Sequence, residues 1–180
     1  MSLTPSRSIL PPSVSCLIPA VAIIIGAAFP LRADATNDCD RFHDSRYVYS
    51  AIIKSVHDGD TINVDIDLGL RVWLHDEPLR LWGINTAEVR GEGKEAGFAV
   101  RDLVRSWIPE GSEVLIRTLK SSEGLDRTES FHRYLAVVCP LGWSESVNAR
   151  LLREGKAEIE APTEKERKAV EEYYGRKGGE

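Results

Sequence analysis

The stretch TINVDIDL, residues 61–68, alternates in character: Ile62, Val64 and Ile66 fall on one side, Asn63, Asp65 and Asp67 on the other. A period of two marks a strand with one face in a core and one in water. Similar segments surround it. RYVYSAIIKSV (46–56) is rich in aromatic and β-branched residues, and RVWLHDEPLRLWGI (71–84) reads as further strand, interrupted near Pro78. SEVLIRTL (112–119) and RYLAVVCP (133–140) complete the set. Between the third and fourth of these, Ala96, Ala99, Val100, Leu103, Val104 and Trp107 recur at helical spacing, and Pro109 and Gly111 stop the helix. SVNARLLREGKA (146–157) predicts a short amphipathic helix ended by Gly155, and the charged tail TEKERKAVEEYYGRKGGE a last helix that frays. Five strands are too few for a sandwich, and their edges need partners. The economical answer is mainly β with helices (α+β): an OB-fold, a five-stranded β-barrel with two to three helices.

The N-terminus has another character. Arg7 lies in a Ser/Pro-rich lead, VSCLIPAVAIIIGAAF (14–29) is apolar, and Ala33 and Ala35 form a small-residue exit. This order predicts a signal peptide over 1–35 and an exported protein, periplasmic or secreted. The run is short of the roughly 20 apolar residues of a comfortable membrane span. An uncleaved anchor is the alternative, and only then is membrane association expected. Residues 36–46 read as a polar linker, 47–160 as the folded domain and 161–180 as a charged tail. After export Cys39 and Cys139 remain where a disulfide is permitted; the other reading is a buried Cys139 and an unpaired Cys39 in a flexible lead. The net charge of −5 argues against coating nucleic acid nonspecifically, though not against an enzyme with a few placed cations.

Several polar residues fall at strand ends. In HDGDT (57–61) Gly59 supplies backbone freedom, and Asp60 shares the parity of Ile62, so it points coreward. A carboxylate there needs a partner or a metal. Asp58 caps the turn, and Asp65 and Asp67 read as solvated. RLWGINTAE (80–88) starts as strand and breaks at Asn85-Thr86 between an arginine and a glutamate. Arginine is the preferred fork for phosphate, and glutamate can activate water. Arg80 and Glu88 equally suit a surface ion pair or a solvated loop, and Arg133 a strand-edge charge.

DGDT, RLWGINTAE, GKEAGFAVRDLV, HRYLAVV and SVNARLLREGKA together resemble, in order and spacing, the thermonucleases of the staphylococcal nuclease family, over about Tyr47 to Ala157. The resemblance implies a five-stranded OB-fold with three helices and a hydrolase that cleaves phosphodiesters of DNA and RNA with calcium. It implies Asp60 as a metal ligand, with Asn85 at a second ligand position and Thr86 offering its backbone carbonyl. Glu88 would be the general base, and Arg80 and Arg133 would hold the phosphate. Phe131 corresponds to a tyrosine beside the nucleotide and either stacks or packs. A monomer acting on DNA or RNA is expected.

Two departures stand out. Asn85 replaces an aspartate, removing one charge beside the ion, and Ala87 replaces a proline, loosening the loop that carries Glu88. Fewer cations than usual follow in VRGEGKEAG (89–97). A non-catalytic OB-fold that only binds nucleic acid, or another anionic polymer, is the competing expectation.

Overall fold

A computed structural model describes residues 37–43, 45–91, 93–119 and 133–175. The leader, Phe131 and His132 lie outside these residues.

Strands β1 (Val48–Val56), β2 (Thr61–Asp67) and β3 (Trp73–Leu81) form an antiparallel meander, followed by the short β4 (Ile84–Thr86) and helix α1 (Lys94–Trp107). Next come β5 (Glu113–Thr118), β6 (Tyr134–Pro140), helix α2 (Val147–Arg153), β7 (Ala157–Ile159) and helix α3 (Glu164–Tyr173). The five long strands close in the order β1-β2-β3-β6-β5. The closure joins β3 to β6 in parallel, with Arg80 opposite Leu135, and β5 to β1 antiparallel. This is the expected OB-type barrel. β4 and β7 pair with each other as a separate two-stranded sheet, which periodicity over three residues was too short to reveal.

Alternation fills the barrel: Ile53, Ile62, Val64, Leu79, Leu81, Val114, Ile116, Ala136 and Val138 are buried in one cluster. Two irregularities adjust it. A bulge at Lys54 shifts the register between Ile53 and Ser55, so that Val56 also turns inward. The second lies at Asp76, not Pro78. There the register slips between Val64 and Ile66, Asp76 adopts φ 55°, and its N–H is accepted by Asp65 at 2.9 Å. That N–H, with His75 and Lys54 alongside, holds the Asp65 carboxyl below its ordinary range. Asp65 is therefore a bulge clamp and not merely a solvated charge. Pro78 sits inside β3 opposite Asn63, and β6 reaches only Leu79 to Leu81, so the missing N–H costs no ladder bond on that side.

The segment expected to be a linker is part of the domain. Cys39 is disulfide-bonded to Cys139, with Cα atoms 5.7 Å apart. With Phe42 it covers Val137 and Cys139 on the outer face of β6. This explains why AVVC is apolar without alternation: both faces of β6 are covered. Asp38 is fully buried and accepts the N–H of Ser146, the residue whose own Oγ caps α2 by accepting from Ala149 at 3.1 Å. The tail forms α3, which docks instead of fraying. Val170 lies so close to Gly83 that a Cβ there would stand 2.7 Å from Val170 Cγ1, and Tyr174 Oη donates to the Trp82 carbonyl at 2.9 Å.

Candidate active site

The polar strand ends gather at one end of the barrel because β2 starts where β3 finishes. Thr61 is registered with Arg80, and the Leu81 N–H donates to the Asp60 carbonyl at 2.8 Å. The coreward parity of Asp60 holds: it is 1% exposed. Asp58 caps the turn as expected, accepting the Asp60 N–H at 3.2 Å.

Four groups surround the Asp60 carboxylate. Oδ1 accepts from Arg80 Nη1 and from Thr61 Oγ1. Oδ2 accepts from the Thr86 N–H at 2.7 Å and from Thr86 Oγ1 at 2.9 Å. Burial pushes this carboxyl up to about 7 against the pull of the Arg80 guanidinium, with Asp58 adding to the rise and the Thr86 N–H opposing it. Arg80, itself 7% exposed, is no surface charge. Its Nη2 donates to Asn85 Oδ1 at 2.8 Å and to Glu160 Oε2 at 2.9 Å. Arg133 joins through Nη1, which donates to Thr61 Oγ1 at 3.1 Å.

Asp60, Arg80, Asn85, Thr86 and Arg133 are thus brought together. Glu88 is not among their contacts. It is exposed two residues beyond Thr86 and makes no hydrogen bond or ion pair among the described residues. Its backbone is nevertheless fixed. A Cβ on Gly97 would stand 2.2 Å from the Glu88 carbonyl oxygen and 2.8 Å from the Val89 nitrogen, so only glycine lets α1 come this close. Gly59 serves the same end. Its φ is not in the left-handed region, and a Cβ there would meet Val100 Cγ1 at 2.6 Å and Thr86 Oγ1 at 2.7 Å. The need at Gly59 is therefore close approach, not the conformational freedom the turn suggested.

Three contributors escape a linear reading. Thr61 bridges Asp60 and Arg133. Glu160 follows β7 and reaches back to Arg80 across 80 residues. Asn148 is fully buried on α2: its Oδ1 accepts from Val138 N, and its Nδ2 donates to the Trp82 and Ala136 carbonyls. Asn148 thereby ties β6 to the exit of β3, just past Arg80. The signal available for it was an amide among the apolar residues of SVNARLL.

The oxygen donors expected for a metal are the Asp60 carboxylate, the Asn85 amide and the Thr86 carbonyl. Hard oxygens suit calcium or magnesium. Only one of the three is charged, and among the described residues no group of three or more His, Cys, Asp or Glu could hold a metal. Both Asp60 oxygens already have partners, so a cation would compete with Arg80. The donor set fits a hard cation in kind and predicts weak binding.

Beside Arg80 lies a pocket of about 380 Å³ between the β3 exit, Leu135 and the start of α3. No protein-family model matches the chain, and no match is found among curated proteins.

Proposed function

We propose that this chain is a metal-dependent nuclease, a hydrolase of phosphodiester bonds in DNA or RNA. The observation that carries the reading is the buried Asp60 carboxylate at the barrel end, ringed by Arg80, Thr61 and Thr86, with Arg133 joined through Thr61. A fold needs no such arrangement, since a buried ion pair is seldom more stabilising than apolar packing.

In this reading Arg80 and Arg133 grip the phosphate oxygens and meet the charge that grows as water adds. Arg80 exchanges its bond to Asn85 for the phosphate. Glu88 takes a proton from the attacking water, for which an exposed carboxylate on a backbone anchored by Gly97 is suited. Asp60, Asn85 and Thr86 would hold a divalent cation, calcium by the resemblance, which supplies Lewis-acid stabilisation of the phosphoryl oxygens when bound. The Cys39–Cys139 bridge favours an oxidising, exported location. Among the described residues no helix is long and apolar enough to cross a membrane.

Two observations favour the alternative, a module that binds nucleic acid without cutting: Arg80 already has three acceptors, and Glu88 contacts none of the cluster. Digestion of plasmid and of RNA by the full chain separates the two, run with calcium, magnesium, manganese or chelator. Metal-dependent cutting that is lost in Glu88→Ala is expected. No cutting with any metal would leave the binding module, and equal activity in that variant would remove Glu88 as the base.

A further inference from the structure

The pocket beside Arg80 carries a charge pattern that phosphate binding does not use. Its lining is largely aliphatic, from Leu81, Ile84, Leu135, Pro162 and Val170, and its volume lies within the range of about 300–1,000 Å³ usual for small-molecule sites. Its charged groups are Arg80, Glu160 and Glu166. Glu166 serves the α3 cap, where its Oε2 accepts from Thr163 Oγ1 at 3.1 Å and its N–H donates back to that hydroxyl at 3.2 Å. Arg80 is engaged by Asp60, Asn85 and Glu160. Two carboxylates against one guanidinium make the lining of the pocket unfavourable to an anion and suited to donors. A group suited to it brings N–H donors on an apolar body.

Glu160 is the acceptor in position to meet them. Its N–H is fixed to the Gly83 carbonyl at 3.0 Å, Arg80 orients its Oε2, and its side chain is 55% exposed. A carboxylate presents two acceptors side by side. Among the four common bases only guanine offers a matching pair of donors on one edge, N1–H beside the exocyclic amine, whereas adenine and cytosine offer a single amino group and uracil a single imino N–H.

We propose that Glu160 makes this pocket a guanine-selective subsite, placing the base of a nucleotide whose phosphate meets Arg80 and Arg133. The inference rests on the nuclease reading for its phosphate position and deepens it by naming the base. It makes Glu160 a specificity residue and leaves water activation to Glu88.

The test is binding in chelator, so that no cutting is required. Equilibrium dialysis of the full chain against the 3′,5′-bisphosphates of guanosine, adenosine, cytidine and uridine should show guanosine held about tenfold more tightly or better. Glu160→Gln keeps an acceptor for Arg80 but exchanges one carboxylate oxygen for a donor. It should remove the guanosine preference and raise relative binding of adenosine, whose edge matches an amide, with the thermal midpoint unchanged. Equal binding of the four nucleotides by the native chain, no binding of any, or a guanosine preference that survives Glu160→Gln would overturn the proposal. The digestion assay reports separately. Cutting without guanine preference keeps the nuclease and loses the subsite, whereas guanosine selection without cutting keeps the subsite and loses catalysis.

Discussion

Gly97→Ala sets two effects against each other, and their sizes decide the sign. Alanine in a helix interior is favoured over glycine by about 1 kcal/mol. Had Gly97 been replaceable, the substitution would stabilise the protein. The new Cβ, however, would stand 2.2 Å from the Glu88 oxygen and 2.4 Å from its carbonyl carbon, where ordinary contact begins near 3.4 Å. These are backbone atoms and cannot rotate aside. Either α1 or the Glu88 loop must move by about 1 Å, and overpacking of this kind costs about 1–3 kcal/mol. We expect a net loss of up to about 2 kcal/mol in urea unfolding. If the loop is what moves and the proposed nuclease reading holds, misplacement of Glu88 by about 1 Å should cut that activity by up to about 100-fold. Ala99→Gly, on the exposed side of α1, is the control and should lose only the propensity difference. A Gly97→Ala protein more stable than native, at full activity, would refute the claim that this glycine positions Glu88.

Burial raises the carboxyls of both Asp60 and Asp38. Between the ordinary carboxylate range and about pH 7 Asp60 in the folded chain keeps a proton that the unfolded chain has released, so it makes stability fall as pH rises through that window, and Asp38 acts in the same direction. Melting from pH 4.5 to 7.5 should show the fall, Asp60→Asn should flatten it, and a slope unaltered by Asp60→Asn would count against it. Reducing the Cys39–Cys139 bridge, which spans a separation of 100 residues, should cost about 2–5 kcal/mol. Chemical denaturation with and without dithiothreitol measures this, and coincident curves would mean that the 37–43 segment holds without its bond. Asn85→Asp adds a second charge beside Asp60 and, on the proposed cation site, should tighten calcium binding about tenfold or more. Calorimetric titration would detect it, and unchanged affinity would remove charge count as the reason for weak binding.

Much of the site was legible along the chain. The parity of Asp60 followed from three alternating neighbours, and the arginines at positions 80 and 133 fell at strand ends that one barrel must join. Glu88 was legible as a residue type, but its separation from the cluster was not. Asn37 to Ser45 misled because its polar composition hides two residues, Cys39 and Phe42, that bury against β6.

Local periodicity determined the strands, the intervening helix and hence the barrel, because which face of a strand is wet depends on neighbours two residues away. Tertiary structure alone decided which groups share a charge. The engagement of Arg80 by Asp60, Asn85 and Glu160, the bridging of Thr61 and the closeness of Gly97 to Glu88 join residues from separate elements. Electrostatic and steric contacts depend on distance in space, and that distance exists only once the strands have closed.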